Sequence, residues 1–392
     1  MTAIVERANA PAMCDLAPLK CRRASEPKVV DLSLPPSIGH LPPHERDLKI
    51  AGVLPLVVPG WAALLGDSAC SLSVEHLTGG CTNLVYRCAL LGTTPPAGVP
   101  DQVLLRVFGE GTDNFIDREV EMEVFGKMSA WGLGPELLAV FGNGRVESFI
   151  TRHRTLTAQD ISRDASVTAI AQSLARMHQV PPRPEESQLL ARLRLWQAKA
   201  VESCGPTFQG IDVAAISAEI DFLQTRLAKV PSRVVFAHCD LQYGNIMESE
   251  DEAAIPPGAV FIDYEYAMTA ERGYDIGNHF NEWAGDYHTS TPHVLHFDRR
   301  PNADQRRAFC TAYLRAAHKL QTDHQSDDVS DAQVEALCRE AEEYGLAGQL
   351  HWGLWGLMQA NVPEPIFNFV EYCKQKISQY YIDKQILLEA HP

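Results

Sequence analysis

Four side chains at fixed offsets have the types that phosphoryl transfer uses: His238, Asp240, Asn245 five residues further on, and Asp263 at the end of the apolar run Ala259-Val-Phe-Ile262. Moving a phosphoryl group needs few protein groups. They are a carboxylate facing the attacking hydroxyl, oxygen ligands for a Mg²⁺ that bridges nucleotide phosphates, and a clamp on those phosphates. The spacing H-x-D-x-x-x-x-N followed by a strand-borne Asp supplies the first two. Taken singly, Asp240 could cap a turn, Asn245 could bond a loop backbone, and Asp263 could end a strand. Taken jointly, at hairpin distance, they point to chemistry.

The clamp has its own candidates upstream. Thr78-Gly79-Gly80-Cys81-Thr82-Asn83 lies between two strand-like runs and lacks the spacing of a P-loop. A glycine turn there would let backbone N–H groups approach phosphates closely. Arg106 is a single cation inside Val103-Leu-Leu-Arg-Val-Phe108. A buried cation needs an anion, and the acidic stretch that follows offers Glu119, Glu121 and Glu123. An Arg–Glu pair of this kind would present a guanidinium to the nucleotide; the alternative is an edge-strand Arg facing water.

Strands must carry these groups in the first part of the chain. Val74–Leu77, Leu84–Ala89, Gln102–Phe108, Leu137–Phe141 and Arg145–Ile150 read as strands, the last two joined by a Gly142-Asn-Gly144 turn. Asp117–Met128 and the region Trp61–Leu65 read as helical. Beyond Arg152 the pattern is helical over Ser166–His178, Gln188–Val201, Ile211–Lys229, Gln305–Leu320 and Asp331–Met358. Short strands interrupt it over Val234–Asp263. The expected fold is α+β with two lobes: a flexible tail over 1–45, a β-rich nucleotide-binding lobe over 46–152, and a mainly helical catalytic and substrate lobe over 153–392. Gln321–Val329 is expected to be a polar surface loop.

Composition narrows the classes. With 392 residues and 45% hydrophobic content the chain can bury a large core. A formal charge of −16 argues against a nucleic-acid partner, which demands clustered Lys and Arg. It also disfavours an anionic membrane face, and no apolar run approaches the ~20 residues of a spanning helix, so no membrane insertion is expected. Ten scattered cysteines without a C-x-x-C pair or a secretory segment fit reduced thiols in a cytoplasmic protein. His288, His293 and His296 read as solvated loop histidines rather than a metal site.

From Ile262 to Tyr287 the sequence resembles the signature of the choline/ethanolamine kinase family. That signature pairs an Ile-Asp-[Phe/Tyr]-Glu-Tyr element with Arg-Gly-x-Asp-Ile-Gly-Asn-His, matched here by Arg272-Gly-Tyr-Asp-Ile-Gly-Asn-His279. His351-Trp-Gly-Leu-Trp-Gly-Leu-Met-Gln-Ala360 resembles the family's W-G-L-W segment, and the likeness runs from about 46 to 385. The resemblance implies a protein-kinase-like fold that uses ATP and Mg²⁺ to phosphorylate the hydroxyl of a small amino-alcohol, ethanolamine or choline. That would be the first step of the CDP-alcohol (Kennedy) route to phospholipids. It implies Asp240 as base, Asn245 and Asp263 as Mg²⁺ ligands, and Gln242 near the phosphates. Gly79, Gly80, Thr82, Asn83 and Arg106 would meet the nucleotide phosphates, with Glu121 as the partner of Arg106 and Glu119 as the alternative. Ser148, Phe149 and Ile150 match the segment that meets adenine. Tyr266, Glu282, Tyr287, Trp352, Trp355 and Tyr372 match the amino-alcohol pocket.

The physics of that pocket stands without the family. An ammonium is attracted to aromatic faces by roughly 0.5–2 kcal/mol per good contact, and Trp352 and Trp355 share one side of a helix. Two tryptophans on an apolar helix are otherwise usually core. Cys239 stands where an Asn is common between the His and the Asp, at a side chain with no assigned role. The marks for substrate are mixed, with ethanolamine ranked marginally ahead of choline. A homodimer is left open. An aminoglycoside-like phosphotransferase would need neither the Arg272–Asp275 stretch nor the tryptophan pair. An inactive kinase-like binding module would have lost Asp240, Asn245 or Asp263, and all three are present.

Overall fold

Alternation along five strands builds the first lobe. The computed structural model describes residues 27–66, 71–77, 83–108, 118–250, 258–321, 328–361 and 366–391. In chain order the first lobe holds β1 (Lys28–Val30), α1 (Pro43–Val57), α2 (Trp61–Leu64), β2 (Ser71–Leu77), β3 (Asn83–Leu91), β4 (Gln102–Phe108), α3 (Arg118–Trp131), β5 (Leu137–Phe141) and β6 (Gly144–Ser148). They form one sheet in the order β1-β5-β6-β4-β3-β2, antiparallel except that β1 runs parallel to β5. Val103, Leu105 and Val107 of β4 and Tyr86 and Cys88 of β3 point to one face, where they meet Ile50, Leu54 and Trp61. The period of two therefore sends Arg106 to the opposite face. Register sets Arg106 opposite Arg145 of β6, which puts Arg145 and Glu147 on that same face.

The flexible tail expected over 1–45 is corrected from residue 28 onward. Lys28–Val30 pair in parallel with Ala139–Phe141 of β5, and the chain just beyond them is held by the turn between β5 and β6, where the Gly142 N–H donates to the Leu32 carbonyl at 2.8 Å. Asn143 brackets Leu34, its Oδ1 accepting the Leu34 N–H at 3.0 Å and its Nδ2 donating to the Leu34 carbonyl at 2.8 Å. Leu34 and Ile38 are buried in the lobe's core. Residues 1–26 lie outside the described residues, as does most of the loop expected over 321–329.

The second lobe holds β7 (His153–Thr155), α4 (Asp164–Met177), α5 (Leu189–Cys204), β8 (Thr207–Phe208), β9 (Ile211–Asp212), α6 (Ile216–Leu227), β10 (Val234–Ala237), β11 (Ile246–Ser249), β12 (Val260–Phe261), β13 (Met268–Glu271), α7 (Arg272–Glu282), α8 (Ala303–Gln321), α9 (Asp331–Gln359) and α10 (Phe369–Ala390). The helix expected from Ile211 starts later because Gln209 and Gly210, both at positive φ, turn β8 into β9. β10 pairs with β13, and β11 pairs with both β12 and β7. The segment 238–245 thus leaves one small sheet and enters another.

α7 and α10 were absent from the helical pattern read in the sequence. Every residue of α7 from Gly273 to Glu282 is buried, so its polar stripe Asp275, Asn278, His279 and Glu282 faces the interior instead of marking a solvent side. It lies against α9 so closely that a Cβ on Gly277 would sit 2.2 Å from the Ala341 carbonyl oxygen and 2.8 Å from the Gly345 nitrogen. Those are backbone atoms that no rotamer change can move. Across the same contact, a Cβ on Gly345 would meet nothing nearer than 3.6 Å. Gly277→Ala should therefore destabilise the protein by about 2–3 kcal/mol through overpacking. Gly345→Ala should leave stability unchanged or raise it by up to about 1 kcal/mol from helix propensity. Urea unfolding of the two variants checks this, and equal losses would contradict the packing described.

Candidate active site

One carboxylate seats the catalytic loop. Asp275, wholly buried on α7, accepts the backbone N–H groups of His238 and Cys239, each at 2.8 Å, and the His178 Nε2–H at 3.0 Å. His178 in turn takes the Tyr313 hydroxyl proton on Nδ1 at 2.8 Å. Burial opposes charge on Asp275, yet the His178 hydrogen bond, the nearby His178 and His238 rings and the Cys239 amide outweigh it and hold its pKa below the usual carboxylate range. Burial also depresses the pKa of His178, in keeping with a neutral ring donating from one nitrogen and accepting at the other. One turn further along α7, Asn278 Nδ2 donates to the Cys239 carbonyl at 2.9 Å and His279 Nδ1 to the Leu241 carbonyl at 2.9 Å. Spacings of three and four put all three side chains on one face of the helix.

This grip supports a strained backbone. Cys239 has a φ of 69°, a conformation costing a non-glycine residue roughly 1–2 kcal/mol. Its thiol is buried and its pKa raised by that burial, so it stays protonated. His238 accepts the Asp240 N–H on Nδ1 at 3.3 Å and donates from Nε2 to the Ile262 carbonyl at 3.1 Å. The Ile262 N–H meets the Asn245 carbonyl at 3.0 Å. The loop and the strand end bearing Asp263 are thereby stitched together.

The structure brings Asp240, Asn245 and Asp263 to one place. Asn245 Nδ2 donates to the Asp240 carboxylate at 2.7 Å and to its carbonyl at 2.9 Å. With the amide nitrogen so committed, Oδ1 is the Asn245 atom presented for a cation. Asp263, at a φ of 66°, follows β12 and supplies the carboxylate. Among the described residues no group of three or more His, Cys, Asp or Glu side chains is suited to a metal. An amide oxygen and a carboxylate nonetheless fit Mg²⁺, which keeps waters and takes its remaining oxygens from phosphates. Burial pushes the pKa of Asp240 well above the usual carboxylate range, reinforced by the charges of Glu282, Asp263 and Glu265. A carboxylate so raised is a stronger proton acceptor.

Arg106 pairs with two carboxylates that were not among those expected. Its Nε meets Glu147 at 3.1 Å and its Nη1 meets Asp263 at 3.3 Å. Glu121 instead meets Arg145 at 2.5 Å, and Arg145 meets Glu147 at 2.9 Å, so the helix carboxylate acts on Arg106 through two intermediates and through its field. Burial disfavours charge on Arg106, but Asp263 and Glu147 raise its pKa and hold it protonated. The side chain of Glu119 lies outside the described residues, as do Gly79, Gly80 and Thr82. Asn83 Nδ2 reaches Glu265 at 3.5 Å. Gln242 has a local task, its Oε1 accepting the Gly244 N–H at 2.6 Å in the turn before Asn245. Ser148 closes β6 through the Glu136 N–H, Phe149 lies 4.8 Å beneath the Arg87 guanidinium, and Ile150 is half-buried where the two lobes join.

Four aromatic rings form a continuous run. Tyr266 and Trp352 are 5.2 Å apart between centroids, Trp352 and Trp355 5.6 Å, and Trp355 and Tyr372 6.0 Å, all edge to face. Both indole N–H groups are spoken for: Trp352 donates to Asn278 Oδ1 at 3.0 Å and Trp355 to the Tyr266 hydroxyl at 2.9 Å. Tyr287 stacks on Tyr243 and donates to Glu282 Oε2 at 2.6 Å. Glu282 is no exposed helix carboxylate; it is buried, and Lys376 Nζ binds its Oε1 at 2.8 Å.

The choline/ethanolamine kinase family profile matches residues 74–381. The chain belongs to the choline/ethanolamine kinase family. It is 37% identical over 347 residues to an Arabidopsis thaliana protein named probable choline kinase 1, covering 88% of this chain and 95% of that one. It is 32% identical over 333 residues to human choline/ethanolamine kinase, covering 82% of each. Among solved structures it is similar to a choline kinase of Cryptosporidium parvum, with a TM-score of 0.71 at 23% identity over 87% of this chain and 96% of that one. The likeness extends to the two-lobed, protein-kinase-like architecture expected from the sequence.

Several residues that build this kinase site had no role in the sequence reading. Asp275, Asn278 and His279 lay inside a quoted motif, yet nothing there says which atoms they hold. Arg145 and Glu147 were masked as ordinary strand residues until register set them beside Arg106. Lys376 had a usable signal. It is the one cation on the buried stripe Phe369, Tyr372, Cys373, Lys376, Ile377 and Tyr380 of α10.

Asp275→Asn should remove acceptors from buried donors, at a cost of about 2–4 kcal/mol. The loop carrying Asp240 should lose its seat, so kcat should fall more than KM rises. Urea unfolding and steady-state kinetics on the folded fraction check both parts. Unchanged stability with unchanged kcat would contradict the assignment.

Proposed function

We infer that this chain transfers the terminal phosphoryl group of ATP to the hydroxyl of choline or ethanolamine, with Asp240 as the base. The observation that carries this reading is the position of Asn278. It binds the Cys239 carbonyl beside Asp240 and the Trp352 indole at once, so one residue sets the aromatic run relative to the proton acceptor. Family membership supports the reaction class and both substrates.

In this reading the cationic head of the substrate lies against Tyr266, Trp352, Trp355 and Tyr372, and its hydroxyl points to Asp240. The hydroxyl oxygen forms a bond to the terminal phosphorus as the bond from that phosphorus to the bridging oxygen of ADP breaks. The hydroxyl proton passes to the Asp240 carboxylate, which the Asn245 amide holds in place. Asn245 Oδ1 and Asp263 would hold Mg²⁺, which supplies charge neutralisation on the phosphates when bound. Arg106 keeps Asp263 in register between the lobes. The product is a phosphomonoester, the substrate form for the CDP-alcohol route, and the unpaired cysteines support a cytosolic setting.

Asp240→Ala and Asp263→Ala should each remain folded and lose at least ~10²–10⁴-fold in kcat, the usual size of a base effect. ADP release measured with choline and with ethanolamine tests this. An Asp240→Ala enzyme within tenfold of wild type would overturn the role given to that residue.

A further inference from the structure

Lys376 is a cation buried inside a site meant to take a cation. Its side chain has no exposed surface, and that of Glu282 is 2% exposed. The ammonium binds Glu282 Oε1 at 2.8 Å, and the Tyr287 hydroxyl binds Oε2 at 2.6 Å. The same ammonium lies 5.5 Å from the centroid of Tyr372, the last ring of the aromatic run. The pocket's carboxylate therefore has a resident counter-ion on one oxygen and a hydroxyl on the other.

We propose that Lys376 is a specificity-determining residue: by neutralising Glu282 it makes the pocket read the substrate's head by ring faces, which favours a quaternary ammonium over a primary one. The proposal rests on the amino-alcohol kinase reading above. A primary ammonium loses strong hydration on entering, and it regains that loss only from acceptors. Here the acceptor it would seek is already bound to another ammonium, which also repels it. A trimethylated head has no N–H to satisfy and makes no claim on a lone pair. It draws its attraction from Tyr266, Trp352, Trp355 and Tyr372. This reverses the marginal preference for ethanolamine expected from sequence. Lys376 acts through Glu282, so its role is positioning and electrostatic rather than catalytic.

The bland alternative is an ion pair that merely ties α7 to α10. The two differ in what happens to the ratio of substrates. The test is kcat/KM for ethanolamine, its N-methyl and N,N-dimethyl forms, and choline, with the wild type, Lys376→Met, Lys376→Arg and the double variant Lys376→Met/Glu282→Gln. Wild type should improve with each methyl group. Lys376→Met exposes Glu282 to the substrate and should raise the ethanolamine-to-choline ratio about tenfold, chiefly through a lower KM for ethanolamine. Lys376→Arg should keep the wild-type ratio, and the double variant should lose the gain. If Lys376→Met does not fold, Lys376→Gln, which retains a donor for Glu282 but no charge, carries the same expectation. Losses by the same factor for all four amines, or a wild type that prefers ethanolamine, would overturn the proposal and leave the kinase reading intact. A wild type inactive on all four would overturn both.

Discussion

The catalytic geometry hangs on one buried carboxylate. Asp275 takes two consecutive backbone amides and an imidazole, and the loop it holds contains a residue in the left-handed region that would otherwise relax. Such a seat works only if the helix bearing it cannot drift. α7 has that property because its other side lies against α9 at backbone contact. The same helix carries Asn278, which fixes Trp352, and Glu282, which ends against Tyr287 and Lys376. A single rigid element thus relates the loop bearing Asp240 to the aromatic run.

A second constraint runs across the lobes. Glu121, Arg145, Glu147, Arg106 and Asp263 alternate in sign, each bonded to the next. Charges taken out of water are costly unless every one is paired, and alternation is the arrangement that pairs them all. The guanidinium of Arg145 also lies 4.3 Å from the Phe125 ring, which desolvates it further. The last member of this series is the carboxylate suited to a metal. That carboxylate is therefore linked through paired charges to a residue as far away as α3, across the sheet face opposite the lobe's core.

How much of this could be read from the sequence depends on whether the information is local. The convergence of Asp240, Asn245 and Asp263 was readable because their offsets fall around one hairpin. The strands from β2 to β6 were readable because alternation and the Gly142-Asn-Gly144 turn are local signals. The partner of Arg106 was not, because Glu147 comes beside it through strand register 41 positions later. α7 was hidden because its polar stripe is turned inward and Gly273 and Gly277 interrupt the helix-forming pattern. The first strand was missed because three residues are too short a signal without the β5 edge more than a hundred positions away on which they pair. The Lys376 partner of Glu282 was unreadable for a similar reason: their ion pair spans 94 positions. The glycine turn over 78–82, expected to meet phosphates, lies outside the described residues.

The contact at Gly277 also makes that position a ruler for related chains. A hydrogen atom is all that fits there at this separation of α7 and α9. A relative with any side chain at the corresponding position must keep its two helices further apart. Its counterpart of Asn278 would then stand back from the aromatic helix, while that of Asp275 would be displaced toward the loop. One letter in an aligned sequence would report the depth of the whole catalytic floor.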